Sequence, residues 1–402
     1  MLTVKEAYDK IMASLPEPQV ETLPLIQSLN AVLAEDAISD IDIPPFDKSA
    51  MDGFAVMAED THDPQKPLTV IENIPAGTFP AKTVTPGTAA RIMTGAALPQ
   101  GADAVLMVED SRKDETNPDV IFALKSIEPG KNVSPKGEDL MLNQIALRKG
   151  KFIRPQEIAI LASTGKHKVT VYKRPAVSVI STGDELVEIN QKPGPGQIRN
   201  SNSYMLIAQL CNTNCPYAYL GVGKDNIEYL RAKVAEGLKA DVLILTGGVS
   251  VGDYDVVVDA LEKEGVDIIF RKVAIKPGKP FVFGKKDNTM VFAMPGNPVS
   301  AFVIFEVFVR AALAKLMRNP SLDKKTSKAK LSGELNKTGD REQFLAAEFI
   351  DASQDGLKQV RLIPSHGSAD IISFAKADCL LAVPAGSPPL QHGQLVDILL
   401  LN

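Results

Sequence analysis

The sequence predicts an α/β multidomain protein built around a doubly wound, mostly parallel α/β domain. Three observations predict it. Between Pro175 and Met317, short apolar runs alternate with amphipathic stretches at helical spacing, the pattern of a parallel sheet covered by helices on both faces. Each apolar run ends in a polar, glycine-rich loop. The chain has 402 residues, and at roughly 150 residues per domain this is about 2.7 domains, so other domains must flank the alternating region.

In chain order, residues 1–42 read as helical. Val4, Ala7, Ile11 and Met12 share one face, and Leu25, Leu29, Val32 and Leu33 continue the spacing beyond Pro16 and Pro18. Residues 146–174 return to helical spacing at Pro155, Ile158, Ala159, Leu161 and Ala162, so the two stretches are expected to form a helical frame and dimer region. Residues 43–145 carry short β-like runs (Leu68 to Ile71, Ala89 to Met93, Ala104 to Val108, Val120 to Leu124) separated by Pro and Gly turns, which predicts a β-rich insertion. Residues 175–322 form the doubly wound domain. Its strands are expected at Ala176 to Ile180, Tyr217 to Leu220, Val242 to Leu245 and Met290 to Ala293, and its helices at Ser203 to Leu210, Asn226 to Leu238, Val256 to Glu264 and Val299 to Met317. After a charged linker expected at Lys324 to Lys328, residues 323–402 alternate in short runs and predict a small β-barrel-like domain.

Composition narrows the function. The 44 basic and 49 acidic residues give a net charge of −5, so no global field favours nucleic acid or an anionic membrane. An anionic ligand needs a local device. Absence of Trp, with 7 Tyr and 15 Phe, disfavours stacking platforms for bases. The most apolar segment, Ala301 to Leu316, is broken by Glu306, Arg310 and Lys315 and predicts no membrane helix. Three cysteines, Cys211, Cys215 and Cys379, cannot build a disulfide framework and read as thiols of a reducing compartment. With no signal or transit peptide legible at the N-terminus, the cytoplasm is expected.

In an open α/β sheet, ligands bind beyond the carboxyl ends of the strands. The loops there are Ser181-Thr182-Gly183-Asp184-Glu185, the run Thr246 to Asp255 containing Gly247, Gly248, Ser250 and Asp253, and Met294-Pro295-Gly296-Asn297-Pro298. Asn297 before Pro298 reads as a helix N-cap with proline at the first helical position, whose free N–H groups suit an anion. Lys276-Pro277-Gly278-Lys279-Pro280 adds two ammonium groups beside a turn. Neither a P-loop nor a Rossmann fingerprint is present. The same loops carry Asp184, Glu185, Asp253 and Asp255, each repelling an anion by roughly 4 kcal/mol at 4 Å for an effective dielectric near 20. A divalent cation resolves that conflict, since Mg²⁺ shares one or two carboxylates with phosphate oxygens. Helix capping accounts for Asp184 and Asp255 more readily than for Glu185 and Asp253, which leaves the latter two as candidates for the cation.

Eight motifs in order complete the pattern: PPFDKSAMDGFAV (44–56), RIMTGAALPQGADAV (91–105), GED (137–139), STGDEL (181–186), GQIRNSN (196–202), TGGVSVGDYD (246–255), KPGKP (276–280) and PGNPVSA (295–301). With these the chain resembles the molybdopterin molybdenumtransferases, the bacterial MoeA family, and is similar to the E domain of gephyrin. The resemblance implies an enzyme that takes molybdate and adenylylated molybdopterin, inserts the metal at the dithiolene and releases AMP with Mg²⁺. It implies a homodimer whose cleft lies between the doubly wound domain of one subunit and the β insertion of the other. A molybdopterin adenylyltransferase would donate substrate, and a molybdoenzyme or cofactor carrier would accept product. The residues it carries over are Asp52, Thr94, Asp139, Glu185, Asp225, Asp253, Lys276, Lys279, Pro295 and Pro298, with Ser365 and His366 closing the cleft. Phe54 stands where the family often has Tyr. Two other readings stay open: an adenylyltransferase, which typically consists of the doubly wound domain alone, and a non-catalytic gephyrin-like scaffold, which would have no need of Asp52, Glu185, Asp253 or Lys279.

Overall fold

The computed structural model describes residues 1–224, 226–249, 256–323, 325–350 and 356–401. They fall into two compact units, one made of residues 1–23, 28–34 and 170–402 and the other of residues 24–27 and 35–169.

In the first unit, six strands order as Tyr217–Gly223, Val177–Thr182, Val242–Thr246, Thr289–Met294, Val282–Lys286 and Asp267–Phe270. The first four run parallel, and the last two are added antiparallel. Successive side chains of a strand leave on opposite faces, and the core divides accordingly. Val177, Val179, Val242, Ile244 and Phe292 pack with Leu206, Leu210, Ile304 and Phe308; Ile180, Leu243, Leu245, Val291 and Ala293 meet Leu230, Val234, Val257 and Leu261 on the other side. The helices that supply these partners are Ser201–Asn212, Ile227–Gly237, Val256–Lys263 and the composite helix that starts at Pro298. Each fully buried aliphatic or aromatic side chain contributes about 1.5–3 kcal/mol, so the apolar runs fix which end of each strand carries a loop.

The composite helix is Pro298–Ile304, a π turn over Phe305–Val309, then Arg310–Leu316. The π turn carries Glu306, buried and bonded to Arg310 (Nε–Oε2 2.6 Å) and to Gln209 Nε2 (2.7 Å). The N-terminal helix Val4–Ser14, held by a capping box between Thr3 and Glu6, buries Val4, Ala7 and Ile11 in this same core. Beyond it the expected helical spacing is not realised. Residues Val20–Pro24 form a strand and Leu25–Ser28 a 3₁₀ turn, and Asn30 sits at φ +62°. Pro18 and Pro24 remove helix donors, and a left-handed residue cannot continue a right-handed helix.

The C-terminal strands close into a five-stranded barrel in the order Glu342–Ile350, Gln359–Leu362, Thr326–Ser332, Leu395–Leu400, Cys379–Val383 and back to the first. Ala329, Leu331, Val360, Leu381, Val383 and Ile398 fill it. Burial pushes the Cys379 thiol up to about 12 and that of Cys215 up to about 11, while Cys211 is exposed. A two-residue strand of the α/β domain, Ile275–Lys276, pairs in parallel with Glu342–Gln343 and so joins the barrel's sheet.

The second unit holds a six-stranded sheet ordered Ala104–Met107, Gly53–Val56, Thr88–Ile92, Leu68–Ile74, Val120–Ala123 and Ser111–Lys113, confirming the β-like runs of the insertion. Phe54, Val56, Leu68, Leu106 and Ile121 form one side of its core, and Ala55, Ile74, Ile92 and Val105 the other. The helix Pro155–Ser163 belongs to this unit as well. No helix among the described residues is long and apolar enough to cross a membrane.

Candidate active site

In the α/β domain, the loops after three parallel strands converge on a cavity of about 280 Å³. Thr182, Glu185, Arg199, Asn202, Gly247 and Pro298 are among its lining residues. Asn202 holds the strand ends together, its Nδ2 donating to Thr246 Oγ1 (3.0 Å) and to the Gly296 carbonyl (2.8 Å). Thr246 Oγ1 in turn donates to the Pro295 carbonyl (3.2 Å). The diglycine turn is dictated by crowding. A Cβ on Gly247, at φ +96°, would stand 2.2 Å from the Thr182 carbonyl oxygen, and one on Gly248, at φ +65°, 2.5 Å from Val257 Cγ2. Thr182 Oγ1 lies buried beneath this turn with no hydrogen-bond partner among the described residues.

Glu185 is exposed and is the one carboxylate among the described residues that lines this cavity. The described residues contain no group of three or more His, Cys, Asp or Glu that could cage a metal. Among the described residues Glu185 alone could offer a carboxylate to a cation in this cavity. Asp253, Asp225 and Ser250 fall outside the described residues.

A second, larger cavity of about 580 Å³ lies between the α/β domain and the barrel and shares Asn297 with the first. Lys276, Lys279 and Arg341 bring three cations to it, facing Pro295, Ser300 and Ser365, while Phe344, Leu362 and Phe374 give it an apolar side. Among the described residues neither lysine has an ion-pair partner, whereas Arg341 is anchored through Nη1 to the Ile275 carbonyl (3.2 Å). Ser365 Oγ donates to the Gly367 carbonyl (3.1 Å), and the next residue's N–H donates to Asp370. Backbone N–H groups of Ser373 and His366 hold the Asp370 carboxyl far below the usual carboxylate range.

The structure alters one expectation about the helix that starts at Pro298. Its first free N–H, on Val299, is taken by the Ser368 carbonyl (3.1 Å), and Asn297 Nδ2 donates to Ser368 Oγ (2.8 Å). The barrel domain therefore supplies the cap that a bound anion was expected to provide. Asn297 keeps its place between both cavities.

Asp52, Thr94 and Asp139 belong to the other unit. Asp52 Oδ1 accepts from both the Thr94 N–H (2.7 Å) and its Oγ1 (2.9 Å), and these bonds lower the Asp52 pKa. Asp139 is exposed on a loop pinned by the Gly137 N–H to the Pro44 carbonyl and by the Asp139 N–H to the Ile43 carbonyl, both at 2.9 Å. Phe54 is buried under the Arg91 guanidinium, 5.0 Å from its ring centroid.

Several residues of these cavities were not singled out from the sequence. Asn202 and Arg199 stand in the GQIRNSN motif, where amide and guanidinium types at a helix start were the available signal. Arg341 belongs to no motif, and only its strand pairing brings it to the lysines.

Comparison with known proteins decides the family. Residues 2–165 match the MoeA N-terminal region (domains I and II), 178–315 the probable molybdopterin binding domain, and 328–401 the MoeA C-terminal region (domain IV). The molybdopterin molybdenumtransferase of Bacillus subtilis is 34% identical over 407 residues, covering 100% of this chain and 94% of the relative. The chain belongs to the MoeA family of molybdopterin molybdenumtransferases. That of Staphylococcus epidermidis is 35% identical, with 99% of this chain and 95% of the relative covered. A solved structure of the MoeA protein from Pyrococcus horikoshii superposes with a TM-score of 0.80 at 32% identity, covering 100% of both chains. The MoeA-family chain is accordingly an enzyme, a transferase of molybdenum cofactor biosynthesis.

Proposed function

We propose that the enzyme inserts molybdate into adenylylated molybdopterin and releases AMP with Mg²⁺. The observation that carries the reading is the pair of adjoining cavities with opposite character, one lined by Glu185 and amides, the other by three cations, meeting at Asn297. Molybdate is a dianion. Lys276, Lys279 and Arg341 bind its oxygens, each favouring a unit charge by roughly 4 kcal/mol at 4 Å for an effective dielectric near 20. The adenylylated pterin occupies the smaller cavity, with Asn202 and the Gly247–Gly248 turn presenting donors and close-approaching backbone, and Ser250, Pro295 and Pro298 completing its border. Glu185 and Asp253 hold Mg²⁺, which would neutralise charge on the phosphate oxygens as the pyrophosphate link breaks. Asp225 and Asp139 orient substrate, Ser365 closes the larger cavity, and Asp52 and Thr94 position molybdate or the pterin from the partner copy of a homodimer.

The enzyme works in the cytoplasm, receives its substrate from a molybdopterin adenylyltransferase, and passes the product to a molybdoenzyme or a cofactor carrier. Mixing the purified chain with adenylylated molybdopterin, molybdate and Mg²⁺ and following AMP tests the reading. We expect metal-dependent release that falls about 10²-fold or more in Glu185→Ala and in Lys279→Ala. Release that stays at the unaltered protein's level in both variants, or is absent from the unaltered protein, would leave a scaffold role ahead.

A further inference from the structure

Arg199, Asn200 and Glu185 line the smaller cavity from a flap that joins the strand Val177–Thr182 to the helix Ser201–Asn212 and is pinned where the Ile198 N–H donates to the Glu185 carbonyl (2.8 Å). The flap's two sides are short parallel strands, Leu186–Val187 and Ile198–Arg199. Its tip, Lys192 to Gln197, contains two prolines and two glycines. Arg199 Nε donates to the Ile189 and Gln191 carbonyls, both at 3.1 Å, and so folds the tip back on itself.

Beneath the flap lies a chain of side-chain hydrogen bonds whose direction the chemistry dictates. Asn200 caps the helix Ser201–Asn212, its Oδ1 accepting the Ser203 N–H at 3.2 Å. A backbone N–H can only donate, so this bond fixes the amide's orientation and turns Nδ2 outward as a donor. Nδ2 reaches Tyr219 Oη at 2.7 Å. With its oxygen occupied, the Tyr219 hydroxyl donates to Glu188 Oε1, also at 2.7 Å. Ser181 Oγ adds a 2.9 Å bond to Asn200 Oδ1. Tyr219 stands on the edge strand Tyr217–Gly223 and does not line the cavity. Its one hydroxyl nevertheless ties the outgoing side of the flap, at Glu188, to the returning side, at Asn200.

We infer that Tyr219 is a positioning residue for the substrate cavity, holding the flap closed onto the helix cap so that Glu185, Arg199 and Asn202 keep their places. The inference rests on the reading of that cavity as the pterin site. Burial and the Glu188 carboxylate push the phenol's pKa above its ordinary value, so it remains a donor at any pH at which the protein works. Because Tyr219 touches no reacting group, its loss should weaken binding of substrate and transition state alike.

Tyr219→Phe removes the hydroxyl and keeps the ring. We expect the KM for adenylylated molybdopterin to rise about five- to tenfold with kcat changed less than about twofold, the signature of lost uniform binding. A readout independent of turnover is available because the chain has no Trp. Ile189, 48% exposed on the flap, can be replaced as Ile189→Trp, and acrylamide quenching of that single indole should increase when Tyr219→Phe is added. Glu188→Gln keeps an acceptor and should preserve both KM and quenching, whereas Glu188→Ala should match Tyr219→Phe without adding to it. Unchanged KM and quenching in Tyr219→Phe overturn the inference, as does a Glu188→Gln variant as impaired as Glu188→Ala. If the unaltered protein fails to turn over, the functional reading falls, and the quenching comparison still judges the flap.

Discussion

Glu157 shows what one buried carboxylate does in this protein. It accepts from the Arg154 N–H (3.0 Å), Nε (3.0 Å) and Nη2 (2.8 Å), and Lys151 Nζ lies 3.3 Å away. The Arg154 guanidinium holds its pKa down at about 2. A depressed carboxylate stabilises the fold fully above its unfolded pKa, near 4.3, and loses that contribution as pH falls through about 2. Glu157→Gln should therefore cost about 2 kcal/mol at pH 7, with the gap to the unaltered protein narrowing below about pH 4 in denaturant titrations. Asp52 has the same sign of shift but lies at the surface, so on the proposed reading it acts through its geometry. Thr94→Val removes one of its two Thr94 bonds, and AMP release should drop severalfold while the melting temperature holds.

At the scale of elements, two turns are set by what they touch. Gly247→Ala drives a methyl into the Thr182 carbonyl and strains a left-handed residue, so we expect about 1–3 kcal/mol of destabilisation and loss of AMP release, measured by thermal melting and turnover. Glu306→Ala in the π turn leaves the part-buried Arg310 and Gln209 without their carboxylate partner, which should cost about 2–4 kcal/mol by denaturant unfolding. The regular elements of the α/β domain were legible because apolar runs such as Val242 to Leu245, buried on both faces, have no other stable solution. Leu25 to Leu33 misled because four apolar residues fell at helical spacing by coincidence, while Pro18, Pro24 and the left-handed Asn30 decided the backbone. That the loops of Thr182, Gly247 and Asn297 would meet at one cavity was legible because parallel strand ends share one edge. Arg341 and the Ser368 cap were not, since nothing local in the sequence tells which barrel strand meets which loop.

For the whole molecule, a net charge of −5 opposes any dianion at long range, and on the proposed reading the exposed lysines overcome it at short range. Their attraction is screened by salt: the Debye length shrinks from about 10 Å at 0.1 M to about 3 Å at 1 M. The KM for molybdate should consequently rise severalfold across that range, and Lys279→Gln should flatten the dependence. The strand Ile275–Lys276 bears on how the larger cavity is held together. Because the α/β domain lends its lysine-bearing segment to the barrel through main-chain bonds at Glu342–Gln343, the spacing of Lys276 from Arg341 is set by peptide geometry and is indifferent to most side chains around it. A barrel whose first strand keeps those main-chain bonds would hold Lys276 and Arg341 at the same cavity whatever its other side chains.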